Sequence, residues 1–417
     1  MCGMELEAWL ADGGYSPKAC NKPFLEQLNH RLVGPELSQF NFELNSTPIA
    51  LNSAGDALSQ MHNELESTWQ ACTACAGEMG LNALAIGVLP TLKDKMLSPE
   101  TMSTYKRYEA LNKQLFAMQG DEEIAFHIEE GEGLHLEQAD IMLEAAATSL
   151  QVHFQIPQRR AVRAYNASQI ASAPLVSASC NAPYLYGKAL WEETRIAIFE
   201  RAVPGGHLRD EEGRLITRVG FGSGYAKESL MEPFSENMTG YPPLLPTDLG
   251  GTPEMLNHLR LHNGTVWRWN RPLIGVDENT GEASLRIEHR AMSAGPTISD
   301  IMANIAFYLG LTTALMMEET APETQLPFAK ARDNFYAAAQ NGLNAELAWL
   351  DGKNHKAQDL CMALTQAARK GLEQLGILED DIARYVDGIL VPRIASGQTG
   401  SAWQKAYIAK HGPEFAK

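Results

Sequence analysis

Acidic and apolar residues alternate in two short segments near the start of the chain. This two-residue alternation constrains the fold more than any other feature. In residues 3–11, Glu5 and Glu7 stand two positions apart with apolar residues between and around them. Residues 39–45 repeat the pattern with Glu43. Successive side chains of a β-strand point to opposite faces. Each segment is therefore predicted to be a strand with carboxylates on one face and apolar residues on the other.

Two later segments alternate in the same way. One places Gln151, His153 and Gln155 on a common face, and the other does so for Glu288 and Arg290. A sheet that is packed on one side only explains such alternation, and this arrangement is typical of antiparallel sheets. A globular sheet rarely needs so many polar groups on one face. Four strands of this kind therefore favour a sheet with a functional, concave polar surface.

The order of the elements along the chain favours the α+β class. Helices are predicted over residues 56–79 and 136–148, interspersed with the strands, and from residue 298 the pattern is mostly helical. Strands mixed with helices first, and helices alone afterwards, argue against a doubly wound sheet. We predict a catalytic sheet region over residues 1–310 and a helical region over residues 311–417, packed on the same unit.

The charge balance excludes one class of partner. The chain has 34 basic and 51 acidic residues, a formal net charge of −17. A general nucleic-acid-binding protein needs clustered lysines and arginines to contact phosphates, so nucleic acid is not expected as a partner. A small anionic substrate is compatible with this charge, because a local arginine pocket or a metal ion held by carboxylates can bind phosphates.

Cysteine content and hydropathy favour a cytoplasmic protein without a membrane partner. The six cysteines are sparse for 417 residues, which implies no disulfide framework and fits a reducing compartment. The N-terminus lacks the pattern of an export signal. No apolar run reaches the ~18 residues that span a bilayer. The longest candidate, residues 301–317, is interrupted by Asn304 and Gly310 and is interpreted as a buried helix.

The polar groups on the predicted strands suit a reaction driven by ATP. Magnesium prefers hard oxygen ligands and is usually held by few carboxylates together with substrate phosphates. Such ions bridge the phosphates and neutralise charge as it develops. Arginines can hold the carboxylate that is activated through two parallel hydrogen bonds. The arginines near the predicted strands are Arg195, Arg268, Arg271, Arg286 and Arg290.

Each of these signals also has a structural interpretation. A pair such as Glu5 and Glu7 is usually only the solvated face of a sheet. His153 in an alternating strand could be a partly buried core residue, and Glu288 could pair with Arg290 for stability alone. The case for function depends on the repetition of the pattern in four strands.

Five segments, taken in chain order, resemble the motifs of one enzyme family. Residues 3–7 (Gly-Met-Glu-Leu-Glu) resemble the Gly-x-Glu-x-Glu strand that opens the fold of the glutamate–cysteine ligase superfamily, which includes a second family of carboxylate–amine ligases. Residues 42–48 resemble its second acidic strand. Residues 151–157 resemble the strand that reads His-x-His or His-x-Asn, and Gln-Val-Asn in a plant-like branch. Residues 177–195 and 287–290 resemble its Ser-Pro, Gly, Arg segment and its Glu-x-Arg strand.

The resemblance implies a glutamine-synthetase-like fold, in which a curved antiparallel sheet encloses the active site. It implies a ligase of glutathione biosynthesis that depends on ATP and Mg²⁺. ATP phosphorylates the γ-carboxylate of glutamate, and an amine, with cysteine as one candidate, attacks the acyl phosphate to form an amide. The sequence identifies no pocket for cysteine, and it determines neither the carboxylate donor nor the oligomeric state.

The resemblance also assigns roles to individual residues. Arg290 and Arg195 are expected to be catalytic, binding the substrate carboxylate or the transferring phosphate. Arg268 and Arg271 are expected to bind the nucleotide. Gln151 takes the place of the usual metal-side histidine. The expected magnesium ligands are Glu5, Glu7, Glu43, Gln151, His153 and Glu288.

Two alternatives stay open at this point. Phosphotransferases that act on guanidino compounds share a similar sheet but do not condense two substrates. A catalytically inactive protein that binds a small molecule is the other alternative, and the intact acidic set argues against it. An assay for ADP release with glutamate and a panel of amines, with mass detection of the product, separates the three functions.

Overall fold

The computed structural model describes residues 1–52, 55–119, 124–203, 208–209, 213, 215–245, 247–277 and 280–412. Its strands are β1 (Cys2–Ala11), β2 (Val33–Pro35), β3 (Asn41–Asn45), β4 (Asn82–Leu84), β5 (Ile124–Ile128), β6 (Leu134–Gln138), β7 (Ser149–Ile156), β8 (Tyr184–Leu185), β9 (Lys188–Ala189), β10 (Leu208–Arg209), β11 (Leu215–Ile216), β12 (Val219–Gly220), β13 (Trp267–Arg268), β14 (Asn270–Val276), β15 (Ala283–Ser293), β16 (Glu346–Ala348) and β17 (Asn354–Lys356). Its α-helices are α1 (Asn21–Leu28), α2 (Ala57–Glu78), α3 (Lys106–Gln119), α4 (Ala161–Ser179), α5 (Thr194–Ala202), α6 (Met231–Gly240), α7 (Asn257–Gly264), α8 (Ile298–Met317), α9 (Pro322–Gln325), α10 (Phe328–Asn341), α11 (Ala357–Gln374), α12 (Glu379–Ile382), α13 (Val391–Ser396) and α14 (Gly400–His411).

The main sheet is antiparallel and curved, with the strand order β14-β15-β7-β1-β3-β2. β4 pairs with the last residues of β1, on the edge opposite β3. The register between β7 and β15 shifts between His289 and Met292. Such an irregularity bends a strand and increases its twist, which helps the sheet to curve. The predicted α+β class with a curved antiparallel sheet is confirmed.

The alternation in the sequence separates the two faces of this sheet. Met4, Leu6, Phe42, Leu44 and Val152 are all buried, with at most 2% of their surface exposed. Helices α4 and α8 pack against β15 and β7. Burying one such side chain stabilises the fold by roughly 1.5–3 kcal/mol, so a register slip of one residue would be strongly disfavoured. The apolar face therefore fixes the register, and with it the positions of the polar groups on the other face.

Helix α8 is the apolar element predicted around residues 301–317. It begins at Ile298, as predicted, after Thr297, whose side chain accepts a hydrogen bond from the backbone of Asp300. At 20 residues it is, among the helices described, the one long and apolar enough to cross a membrane, which corrects the expectation that no segment is long enough. The predicted burial is confirmed, since 83% of its apolar window lies inside the protein.

The predicted boundary at residue 310 falls inside α8 and does not coincide with the end of an element. Gly310 lies against α11, where an added Cβ would come within 2.3 Å of the backbone oxygen of Ala368. Buried apolar residues from both sides of the boundary belong to one hydrophobic core.

Two helix predictions had different outcomes. The helix over residues 56–79 is confirmed as α2. The helix over residues 136–148 is wrong, because this stretch holds the end of β6 and then a 3₁₀ helix, Ile141–Ala146. Asp140 caps the start of this 3₁₀ helix, since its side chain accepts a hydrogen bond from the backbone of Met142 at 2.8 Å. A short polar side chain of this kind competes with a regular helix.

Candidate active site

Strand pairing brings the predicted metal ligands together on the polar face of the main sheet. The four strands that carry them, β3, β1, β7 and β15, are consecutive neighbours. Residues opposite one another in an antiparallel pair lie close enough for their side chains to interact. The opposed positions are Glu7 with Glu43, Glu5 with Gln151, His153 with Glu288, and Arg271 with Glu288.

A first carboxylate group forms where β1 and β3 meet the segment between β2 and β3. Oxygens of Glu7, Glu36 and Glu43 lie within 4.8 Å of one another. Burial, reinforced by the nearby charges of Glu7 and Glu144, raises the pKa of Glu36 to about 8. Burial also raises the pKa of Glu43 well above 4.5, with Glu36 and Glu5 adding to the effect. Burial and mutual repulsion therefore make it unfavourable for all three carboxylates to be ionised at once.

The chemistry of this first group fits a divalent cation. Carboxylates this close cannot all ionise without a compensating charge. Arg290 lowers the pKa of Glu7, but burial outweighs it and leaves that pKa raised. Carboxylate oxygens are the ligands that Mg²⁺ prefers. Glu7, Glu36 and Glu43 could hold such an ion, which would supply the positive charge that the described side chains provide only in part.

A second group joins β1, β7 and β15. His153 Nε2 lies 2.8 Å from Glu5 Oε1 and 3.8 Å from Glu288 Oε1. Glu288 accepts two hydrogen bonds from Arg271, at 2.5 and 3.0 Å. Burial would raise the pKa of Glu288, but Arg271, Arg290 and His153 together outweigh it and lower the pKa, so this carboxylate stays ionised. Glu5, His153 and Glu288 lie close enough to share an ion.

Gln151 bridges the two groups instead of pointing a free oxygen at a metal. Its Nε2 donates to Glu7 Oε1 at 2.9 Å. Its Oε1, the atom that could bind a cation, accepts a hydrogen bond from Arg290 Nη1. Both ends of the amide therefore have a protein partner, and the expected role of Gln151 in place of a metal-binding histidine stays a prediction.

Arg290 occupies the centre of the polar face. Its Nη1 lies 3.3 Å from Glu288 and also donates to Gln151, so it contacts the second acidic group directly and the first through Gln151. Arg290 also lines the acidic cavity over the first group.

Arg195 and Arg268 do not line the acidic cavity. Arg195 is 2% exposed and donates to Glu193 at 3.1 Å and to the backbone oxygen of Ala291 at 2.5 Å. Arg268 is 3% exposed, and its guanidinium binds Glu236 and Asn237. Their expected contacts with substrate and nucleotide stay predictions.

Arg271 lies next to the second group, but its side chain is committed to Glu288 and to the backbone of Gly264. It therefore holds Glu288 in place, and its predicted contact with a nucleotide stays a prediction. Arg286, on the same face, donates from Nε to His153 Nδ1 at 3.3 Å. That hydrogen bond makes Nδ1 an acceptor, so the proton of a neutral His153 is on Nε2, towards Glu5.

An acidic cavity of about 200 Å³ lies over the first group. Its floor carries the carboxylates and Arg290. Glu144, on the 3₁₀ helix, closes it from one side, and burial together with Glu7 raises the pKa of Glu144 to about 8 despite Arg290. Apolar and aromatic residues line the rest of the cavity. They are Leu37, Tyr108, Leu111, Leu115, Ile141, Phe199, Val203 and Trp267.

A second, more open cavity of about 430 Å³ lies on the other side of Glu5, which lines both. The N-terminal residues of β1 form one wall of this N-terminal cavity, and Arg286 and Gln155 form the other. The acidic cavity therefore borders the first group, and the N-terminal cavity borders Glu5 and His153 of the second group. Such a layout lets two substrates approach a shared centre from opposite sides.

Glu36 and Glu144 were missed from the sequence. Glu36 follows the short strand β2 and Glu144 belongs to a 3₁₀ helix, so neither shares the alternating period that identified the other carboxylates. The one local signal for Glu36 is its position directly after Pro35, at the end of a strand.

Comparisons with known proteins identify the family to which the chain belongs. The family model described as glutamate–cysteine ligase family 2 matches residues 1–415. No curated protein matches the chain in sequence. A glutamate–cysteine ligase of Francisella tularensis, solved in complex with AMP, superposes with a TM-score of 0.56 at 11% identity, over 100% of this chain and 87% of that one. A bifunctional glutathione synthetase of Pasteurella multocida gives a TM-score of 0.47 at 11% identity, over 100% of this chain and 52% of that one.

The family match covers nearly the whole length and includes every strand of the polar face. The likeness to the Francisella structure supports the fold independently. The chain thus belongs to glutamate–cysteine ligase family 2 and is an ATP-dependent carboxylate–amine ligase.

Proposed function

We propose that this ligase uses ATP and Mg²⁺ to activate the γ-carboxylate of glutamate as an acyl phosphate, and joins it to an amine. The observation that carries the proposal is the pair of acidic groups held on either side of Arg290. ATP-driven ligation needs cations near the phosphates and a fixed positive side chain near the transferred group. This polar face offers both requirements within one sheet.

The first acidic group would hold one magnesium ion through Glu7, Glu36 and Glu43, and the second would hold another through Glu5 and Glu288. Bound there, magnesium would neutralise phosphate charge. The complex of the Francisella enzyme with AMP supports the binding of a nucleotide. The protein's own contribution is to fix these carboxylates in place. Asn45 does so for Glu43 through a 2.9 Å hydrogen bond, and Arg271 does so for Glu288, whose pKa it also helps to lower.

Arg290 would bind the carboxylate while it accepts the phosphoryl group. Its planar guanidinium is held by Gln151 and Glu288, and the residue lines the acidic cavity in which the substrate would lie. A positioned donor of this kind acts where charge develops and does not need to reorganise during the reaction. Gln151 therefore serves as a positioning residue for Arg290.

The apolar residues that line the acidic cavity would surround the amine and keep water out. An acyl phosphate that water can reach is hydrolysed, so a ligase benefits from a dry acceptor site. Leu111, Leu115, Phe199 and Trp267 provide such a wall. Cysteine is a candidate acceptor because its small thiol suits an apolar pocket. If glutamate and cysteine are the substrates, the reaction belongs to glutathione biosynthesis.

A cytoplasmic location is proposed on the cysteine content. The six cysteines are free and most are buried, as expected for a protein kept in a reducing compartment. No observation favours the phosphotransferase or the inactive binding protein, and both are outcomes of the following experiment.

The test measures ADP release with glutamate, Mg²⁺ and a panel of amines that includes cysteine, with mass detection of the product. The proposal predicts that ADP and an amide form together and only when both substrates are present. A phosphorylated guanidino compound would instead establish a phosphotransferase. No turnover with any substrate pair would favour the inactive binding protein. The variant Glu137→Gln, altered on the exposed face of β6, is the control and should release ADP at the same rate as the unchanged protein.

A further inference from the structure

A third set of potential metal ligands lies on the hairpin of β5 and β6, which forms a two-stranded sheet of its own. One ligand atom from each of His127, His135 and Glu129 lies within 4.8 Å of the other two. These three residues line neither the acidic cavity nor the N-terminal cavity. The ligation reaction proposed above makes no use of them.

Strand pairing places the two histidines side by side. His127 on β5 lies directly opposite His135 on β6. Phe126 and Ile128 are buried, whereas His127 between them is exposed. Opposed residues of an antiparallel pair point to the same face and lie close enough to interact. The two Nδ1 atoms are 2.6 Å apart, so a pair of ring nitrogens faces solvent on the outer side of the hairpin.

The distance between these nitrogens suits the replacement of a proton by a metal ion. At 2.6 Å one ring nitrogen donates a hydrogen bond and the other accepts it. Two nitrogens that bind one zinc ion at about 2.0–2.1 Å in tetrahedral geometry lie roughly 3.3 Å apart. The rings would therefore separate by about 0.7 Å. This shift is small for the side chain of His135, which is 55% exposed.

Glu129 supplies a carboxylate at the end of β5. Its Oε2 lies 3.5 Å from His135 Nε2, and its side chain is 76% exposed. The next residue behaves differently, because Glu130 accepts a hydrogen bond from Trp191 Nε1 at 3.0 Å and so anchors the loop. The carboxylate of Glu129 is thus directed to the histidines and not to the body of the protein.

The loop between the two strands is held in one conformation. Glu132 accepts a hydrogen bond from the backbone nitrogen of Ala189 at 2.6 Å, and Lys188 Nζ donates to the backbone oxygen of Gly133 at 2.8 Å. Gly131 has a φ of 67°, and an added Cβ would lie 2.4 Å from the backbone oxygen of Ala189. A set of ligands on a fixed loop loses less freedom when it binds an ion.

The ligand types select the class of ion. Imidazole nitrogens suit zinc, copper and nickel, whereas Mg²⁺ prefers ligands that are all oxygen. Two nitrogens and one carboxylate oxygen form three of the four contacts of a tetrahedral zinc ion. The fourth position is left to water, which reaches this exposed face. The hairpin therefore differs in metal preference from the carboxylate group of Glu7, Glu36 and Glu43.

We propose that His127, His135 and Glu129 bind a transition-metal ion of the Zn²⁺ class. The ion joins β5 to β6 and keeps the hairpin closed. β6 leads into the 3₁₀ helix that carries Glu144, so the ion also supports one side of the acidic cavity.

Calorimetric titration of the full-length protein with Zn²⁺, in excess Mg²⁺, tests the proposal. The unchanged protein should bind Zn²⁺ saturably at micromolar concentration. His127→Ala and His135→Ala alter exposed residues and should fold normally. Each should weaken this binding at least about tenfold, because one of only three protein ligands is lost. No saturable binding to the unchanged protein, or undiminished binding to both variants, would overturn the proposal.

Two further variants locate the ion. His258→Ala is the matched control, because this exposed histidine also lies near a carboxylate, that of Asp248 at 4.0 Å, and its loss should leave the affinity unchanged. His153→Ala removes the histidine of the second acidic group and should also retain the binding event that is lost in His127→Ala. Loss of that same event in His153→Ala would place the ion on the main sheet and refute the assignment.

Hydrogen exchange measures whether the ion closes the hairpin. With Zn²⁺ at ten times its dissociation constant, exchange of the amides in residues 124–138 should slow about tenfold, because only the closed hairpin binds the ion. His127→Ala should show no slowing. Equal exchange with and without Zn²⁺ in the unchanged protein would contradict the closure of the hairpin by the ion.

Discussion

Glu7 and Glu43 face each other directly across β1 and β3, and their carboxylates share a space with Glu36. Like charges opposed across strands destabilise a sheet. Glu43 has its pKa raised well above 4.5, first by burial and then by Glu36 and Glu5. The arrangement is unfavourable for the isolated protein and favourable for a protein that binds cations there.

Replacing Glu43 by glutamine should separate stability from function. We expect Glu43→Gln to remove most of the activity, because the first group loses a charged ligand. The melting temperature should stay level or rise, because a buried like charge is removed while the apolar face of β3 is unchanged. Steady-state kinetics and thermal melts measure the two effects. A near-normal rate would show that Glu43 is only a structural residue.

The stability of the metal-free protein should depend on pH. The ordinary pKa of 4.5 is raised to about 8 in the folded state for both Glu36 and Glu144. Below about 4.5 both folded and unfolded states hold these protons, so the carboxyls add their full stability. As pH rises towards 8, the unfolded state releases the protons and the folded state keeps them, so the free energy of unfolding falls.

Magnesium should reverse this loss, and more so above pH 8 than below it, because it binds the ionised carboxylates. Urea titrations across pH, with and without Mg²⁺, measure both trends. Glu36→Gln should flatten the pH profile. An unchanged profile in that variant, or no effect of Mg²⁺, would contradict the assignment of the first group.

Arg290→Lys tests the central arginine. Lysine keeps the charge but loses the planar fork that contacts Gln151 and Glu288. We expect the turnover rate to fall by a factor on the order of a hundred, with ATP affinity little changed, as for loss of a positioned donor. Arg159→Lys on the surface serves as the control. A destabilised variant with a normal rate in its folded fraction would refute the catalytic role.

Arg195→Lys should show the opposite behaviour. Its guanidinium bonds Glu193 and the backbone of β15 in a fully buried position, so its loss should lower stability by roughly 1–3 kcal/mol. The turnover rate of the folded fraction should stay close to normal. Chemical denaturation and kinetics on the same samples measure this. A large fall in rate without loss of stability would restore Arg195 to the active site.

The sequence predicted those site residues that lie on strands with alternating apolar and polar side chains. Glu5, Glu7, Glu43 and Glu288 lie on strands where one face is buried, so their direction follows from the apolar residues beside them. Glu36 lies outside such elements, and its approach to the site depends on how β2 meets β3 in three dimensions.

The protein contacts of Arg195 could not be predicted from the sequence for a related reason. Arg195 was placed by its position in a motif, but the start of α5 directs its side chain towards Glu193 and β15. A buried ion pair of this kind leaves no trace in local periodicity. The polar bridge through Gln151 was likewise hidden, because a metal ligand and a hydrogen-bond bridge use the same residue type at the same strand position.

The most direct test of the central claim follows the oxygen atoms of the activated carboxylate. Glutamate labelled with ¹⁸O in its γ-carboxylate is incubated with the enzyme, ATP, Mg²⁺ and the amine that gives a product, and the released phosphate is analysed by mass spectrometry. An acyl-phosphate route transfers one labelled oxygen to each phosphate and leaves the other in the amide. Phosphate without label, formed together with the amide, would contradict the account.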